Sequence, residues 1–168
     1  ARMVPLERLF MRLRLPVREA AERLGRQVRI EAFGEQVTLD KTIVDQLYLP
    51  LLHLVRNAVA HGIESPEERS RLSKAPSGLI GLSARQEAGL VVVEVSDDGA
   101  GLDLDRLRSL GVSAGAFPAD TPLHSPLVAD AVFLPGFTTR HAADGVAGRG
   151  LGCDVARREI ERLGGRVQ

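Results

Sequence analysis

Residues 53–64 read HLVRNAVAHGIE, a helical stretch whose two faces differ sharply. At 100° per residue, His53, Asn57 and His61 fall within about 80° of one another, while Val44, Leu47, Tyr48, Leu51, Val55, Ala58 and Val59 gather on the opposite side. One face packs and the other presents chemistry. Outward from it, Asp40 caps a helix expected from about residue 41 to residue 61, kinked near Pro50 and ended by Gly62.

On the N-terminal side, Pro16 suits the first turn of a helix over residues 17–24 that stops at Gly25. Residues 28–32 and 37–39 alternate in polarity, and Phe33-Gly34-Glu35 between them predicts a hairpin. On the C-terminal side, Ser65-Pro66 opens a short charged helix over residues 64–73. Residues 79–85 and 90–97 are expected as two strands joined by a glycine-containing turn. The proline-rich segment 111–126 reads as a mobile, lid-like loop. A brief helix over 127–133, an irregular stretch to 150 and a last helix over 151–163 follow. That last helix packs Gly152, Ala156, Ile160 and Leu163, ends at Gly164-Gly165, and leaves residues 166–168 as the start of a strand.

Composition narrows the class. A chain of 168 residues with 44% apolar content is the size of one domain, taken here as residues 1–168. Lysine plus arginine equals aspartate plus glutamate at 22 each, so no net charge argues for nucleic acid or an acidic membrane surface. The local basic group of Arg8, Arg12, Arg14 and Arg18 is diluted by Glu7, Glu19 and Glu22 and reads as a solvated face. The single cysteine, Cys153, excludes an internal disulfide and suits a reducing compartment, with the cytoplasm as the expectation. No apolar run approaches the ~18 residues of a membrane span. A start at Ala1 rather than methionine is read as a fragment.

Three pieces carry the chemistry. In the strand ending at Asp97, that carboxylate shares a face with Val91, Val93 and Val95, whereas Asp98 points the other way. A carboxylate closing an apolar face needs a partner, and the exocyclic amine of adenine supplies one; a surface turn is the alternative. Gly99 and Gly101 let the backbone turn against a flat ring. The run Gly148-Arg149-Gly150-Leu151-Gly152 enters a helix, where unpaired amides make a phosphate site or, more blandly, a hinge. Its G-x-G-x-G spacing is neither the Walker motif nor the dinucleotide fingerprint. Asn57 offers a hard neutral oxygen to magnesium, His53 a group near the γ-phosphate, and His61 a donor to phosphate, with helix termination as the plainer role of His61.

In this order the motifs resemble the ATP-binding catalytic domain of the GHKL superfamily and, within it, the chemotaxis-type (CheA-type) histidine kinases. HLVRNAVAHGIESPEER is similar to that family's N box, VSDDGAGLD to its first glycine box, FLPGFTT to its phenylalanine box, and GRGLGCDVARREIERLGGRV to its second glycine box and helix. MVPLERLFMRLR and TLDKTIVDQL are similar to the start of the domain. The resemblance implies an α/β, two-layer Bergerat sandwich with helices on one face of a mixed sheet and ATP held between the long helix and the lid. By the same resemblance Asp97 binds the adenine amine, Asn57 coordinates magnesium, and His53 stands where many relatives place a catalytic glutamate. Gly99 and Gly101 border the base, Gly148, Gly150 and Gly152 cradle phosphates beside Arg149 and Leu151, and Phe137, Thr138 and Thr139 shape the lid.

The implied reaction moves the γ-phosphoryl group to a histidine on a separate phosphotransfer domain, by positioning and charge neutralisation. None of the four histidines here has that domain's setting, so the acceptor lies elsewhere. A response regulator is served indirectly, and a coupling protein and chemoreceptor array are engaged through domains absent from these 168 residues. This piece alone is expected to be monomeric, with no nucleic-acid partner and no membrane insertion.

The pattern departs from the family in three ways. Ala60 replaces the usual aspartate, which removes a polar contact near the phosphates. The stretch from Gly111 to Pro126 is short and proline-rich for a lid, and the chain stops at Gln168 before the last hairpin of the typical domain. A non-catalytic nucleotide-binding or interaction module of a chemosensory protein is therefore the rival reading. An ATPase of the topoisomerase, chaperone or mismatch-repair type is disfavoured by His53 and by PGFTT.

Overall fold

The computed structural model describes residues 2–135 and 152–168. The chain divides into two compact units, Ala1–Ala100 and Gly101–Gln168.

In the first unit, strand β1 (Met3–Pro5) leads into helix α1 (Glu7–Arg23), followed by β2 (Val28–Phe33), β3 (Thr38–Asp40) and helix α2 (Lys41–Asn57). A π-helical turn (Ala58–Gly62) extends α2, and α3 (Pro66–Arg71), β4 (Gly78–Glu87) and β5 (Leu90–Asp97) complete the unit. The sheet is mixed: β4 is central, parallel to β2 and antiparallel to β5. Along β4, Ile80, Leu82 and Ala84 are buried, at the strand period of two. Opposite Ala84, Leu82 and Ile80 stand Val93, Val95 and Asp97 of β5, so Asp97 ends the face that meets the helices. Leu9, Phe10, Leu13, Val17, Ala20 and Ala21 of α1 and Val44, Leu51, Leu52 and Val55 of α2 fill the same core, giving two layers of α/β class.

In the first unit, two expectations need correction. Pro16 lies inside α1 rather than at its start. Proline in a helix interior loses a hydrogen bond and crowds the preceding turn. The buried stripe from Leu9 to Ala21 runs continuously across it and outweighs that loss. Second, residues 28–32 and 37–39 do not form a hairpin: β3 pairs with β1, antiparallel, and β2 pairs with β4. Gly34 does provide a turn, accepting the Val37 amide at 3.0 Å, but the turn carries the chain from one sheet to another. Its φ is +72°, and a methyl group there would lie 1.8 Å from the Ala84 carbonyl oxygen, so only glycine fits.

The other boundaries follow local chemistry. Asp40 accepts the Thr42 amide at 2.8 Å and caps α2, and Ser65 accepts the Glu68 amide at 3.2 Å and caps α3. The turn between β4 and β5 places Ala88 and Gly89 both in the left-handed region, at φ 50° and 79°. That is the backbone of a type I′ hairpin.

The second unit holds α4 (Leu104–Ser113), α5 (Pro126–Asp130), a 3-10 turn (Ala131–Phe133) and α6 (Cys153–Arg162). Its own small core joins Leu107, Phe117, Val128 and Ala131. Residues 111–113, expected in a mobile loop, belong to α4, whose start Asp103 caps by accepting the Arg106 amide. Phe117 packs its ring against Gly111, where a methyl group would stand 2.2 Å from the ring. Gly152, just before the last helix, and Ala156 within it are buried as expected, but Ile160 and Leu163 are only half-buried and residues 166–168 form no strand.

Candidate nucleotide site

The residues that the sequence brings into question within the first unit lie at the end of α2 and the end of β5. His53 and Asn57 are half-buried on α2, one turn apart, and the face opposite them is the core. His61, exposed, and Ala60, half-buried, sit in the π turn. There the Ile63 amide donates to the Ala58 carbonyl at 2.9 Å, which inserts one residue into the helical repeat. Such turns concentrate at functional sites, and periodicity at 100° per residue carries no signal for one.

The turn delivers Gly62 to the first glycine motif. The Gly62 carbonyl accepts the Ala100 amide at 2.9 Å. A methyl group added to Gly99 would stand 2.0 Å from that carbonyl oxygen, and one added to Gly62 would stand 2.8 Å from Asp97 Oδ1. Asp97 itself is exposed and accepts the Gly99 amide at 2.9 Å through Oδ1. The carboxylate is thus seated between two residues without side chains, at the rim of an apolar face. Such a place offers a flat polar ring both a hydrogen-bond acceptor and bare backbone.

Asp98 behaves as the alternation predicts and turns away. Its Oδ1 accepts the Leu79 amide at 2.8 Å, and its Oδ2 meets Arg69 Nη2 at 3.0 Å. Burial pushes its carboxyl up, but the Leu79 amide and Arg69 outweigh that and hold it below the ordinary value. Arg69, on a helix read from sequence as merely charged, is only 1% exposed. It reaches Glu64 Oε1 at 3.0 Å and the Ala75 carbonyl at 2.6 Å. Lys74 Nζ contacts Glu64 Oε2 at 2.6 Å and the carbonyls of Asp98 and Gly99 at 3.1 and 3.0 Å. Lys74 against its carboxylate, helped by Arg69, holds Glu64 below the usual carboxylate range despite burial. Sequence reading missed this group because a charged residue on a short helix is ordinarily solvated.

The remaining candidates fall in the second unit. Gly101 lies just past the turn, with positive φ. Gly152 is the N-terminal flanking residue of α6, extended in backbone and without a side-chain cap. Phe137, Thr138, Thr139, Gly148, Arg149, Gly150 and Leu151 lie outside the described residues. Among the described residues no three His, Cys, Asp or Glu side chains cluster in a way that holds a metal ion. No helix of theirs is long and apolar enough to cross a membrane.

Residues 42–168 match the family described as histidine kinase-, DNA gyrase B- and HSP90-like ATPases. The chain belongs to that family and is one of its ATP-binding domains. More narrowly, it is 39% identical over 166 residues to the chemotaxis protein CheA of Rhizobium meliloti, covering 99% of this chain and 22% of that protein. It is 40% identical over 167 residues to CheA of Salmonella typhimurium, covering 99% and 25%. To the sensor histidine kinase CheAY of Helicobacter pylori it is 37% identical over 169 residues, covering 99% and 21%. The chain therefore spans about a quarter or less of the length of these relatives.

Proposed function

We propose that this chain is the catalytic ATP-binding part of a CheA-like histidine kinase, which passes the γ-phosphoryl group of ATP to a histidine on a separate phosphotransfer domain in chemotaxis signalling. The observation that carries the reading is the exposed Asp97 carboxylate, seated against Gly62 and Gly99 at the end of the core face. Its proposed role is to accept a hydrogen bond from the adenine amine, since burying it unpaired under a base without that donor is costly.

Asn57 is the proposed magnesium ligand. Its amide oxygen suits an ion that keeps waters and phosphate oxygens in its shell and asks few ligands of the protein. When bound, magnesium neutralises phosphate charge. His53, one turn earlier on the same helix, is proposed to hold a proton or an ordered water near the γ-phosphate, and His61 to donate to phosphate. The sequence pattern assigns phosphate contacts to Gly148, Gly150 and Gly152, of which Gly152 directly precedes α6. Phosphoryl transfer then rests on positioning rather than on a covalent intermediate. The phosphotransfer domain, response regulator, coupling protein and chemoreceptor array are the proposed partners, reached in the cytoplasm through other parts of the full-length protein.

Incubating the chain with γ-labelled ATP, magnesium and a CheA-type phosphotransfer domain tests the reading. Acid-labile, base-stable label on that domain, lost in Asp97→Asn, supports it. Nucleotide binding without transfer assigns the chain to the non-catalytic class that Ala60 suggests.

A further inference from the structure

The Arg69, Glu64 and Lys74 group stands behind the nucleotide-facing turn and makes no use of the proposed ligand contacts. Its geometry is that of a clamp. Buried Glu64 directs two cations: Arg69, which grips the Asp98 carboxylate, and Lys74, which grips the Asp98 and Gly99 carbonyls. The Asp98 carboxylate and the Asp98 and Gly99 carbonyls are thereby fastened to α3 and its flank. Arg26 holds the other end by donating to the Ile63 carbonyl, next to Glu64. Asp97 draws its direction from this turn, because its Oδ1 is tied to the Gly99 amide.

The geometry points to Arg69 and Lys74 as positioning residues for base selection: by fixing the Asp98-Gly99 backbone from behind, they aim the Asp97 carboxylate at the base and let it distinguish adenine from guanine. This rests on the proposed base-binding role of Asp97. Adenine presents an amine at the position where guanine presents a carbonyl oxygen. A rigidly held carboxylate accepts from the first and repels the second, whereas a turn free to swing the carboxylate aside tolerates both. Buried charge is costly to maintain, and here the function proposed to offset that cost is the fixing of one geometry.

The readout is the ratio of ADP to GDP affinity, measured on the chain by calorimetry. The two nucleotides carry the same charge, so a general electrostatic effect of losing a cation cancels in the ratio. Lys74→Met leaves the Arg69–Glu64 pair intact. The double substitution Arg69→Met with Glu64→Leu removes both charges of the buried pair together. Each is expected to lower the ratio about ten-fold while the circular dichroism spectrum stays native. Lys74→Arg, which keeps a cation within reach, retains the wild-type ratio. A wild-type ratio in both folded charge-removing variants, with the preference lost in Asp97→Asn, overturns the clamp and leaves the role of Asp97 standing. An unchanged ratio in Asp97→Asn overturns both.

Discussion

Gly62 and Gly99 lie so close that a methyl group on Gly99 would stand 2.0 Å from the Gly62 carbonyl oxygen. The end of the long helix and the turn after β5 therefore meet backbone to backbone, and Asp97 is held at the meeting point. Gly99→Ala forces one of the two to move. Its expected cost is about 1–3 kcal/mol of stability, the range for overpacking. Urea unfolding measures the cost, and weakened nucleotide binding accompanies it. A midpoint equal to wild type contradicts the contact.

Breaking the buried pair differs from replacing it. Arg69→Met takes one of its two cations from Glu64 and leaves it Lys74, so the expected cost is about 3 kcal/mol, the lower end for a broken buried pair, whereas Arg69→Met with Glu64→Leu falls much nearer to wild type. Denaturant melts of the two variants decide this. A double variant less stable than the single one removes the argument.

Acid stability follows from the same carboxylates. Glu64 and Asp98 both have folded-state pKa values held below their ordinary values. Each contributes stability that is fully present above the unfolded carboxylate range, about pH 4, and is lost as pH falls through the lower folded values. Lys74→Met is expected to flatten this acid limb in thermal melts taken from pH 6 downward. A limb of unchanged steepness contradicts the assignment.

The β4–β5 turn places Ala88 at positive φ ahead of Gly89. Asn-Gly is the favoured pair for this turn, and alanine is strained there. Ala88→Asn is expected to raise stability by up to about 1 kcal/mol. A lower thermal midpoint contradicts that backbone.

Features written in local chemistry were legible. The apolar face of α2, the caps at Asp40 and Ser65, and the β4–β5 hairpin each depend on residues a few positions apart. Features set by distant partners were not. Nothing within residues 28–39 tells β2 that its neighbour is β4 rather than β3. Pro16 looked like a helix start because the stripe that carries α1 across it depends on burial by α2 and the sheet. Leu107 of α4 packs on Phe117 and Val128, so that helix too rests on a core assembled from further along the chain. In the site, Asp97 and its glycines were visible as a motif, but the π turn and the burial of Arg69 come from packing alone.

The nucleotide site is decided by calorimetric titration of the chain with a non-hydrolysable ATP analogue, with and without magnesium, alongside Asp97→Asn and Asn57→Ala. Binding is expected to be strengthened by magnesium, abolished in Asp97→Asn and stripped of its magnesium dependence in Asn57→Ala. Wild-type binding by folded Asp97→Asn, or no binding by the folded parent chain, would contradict it.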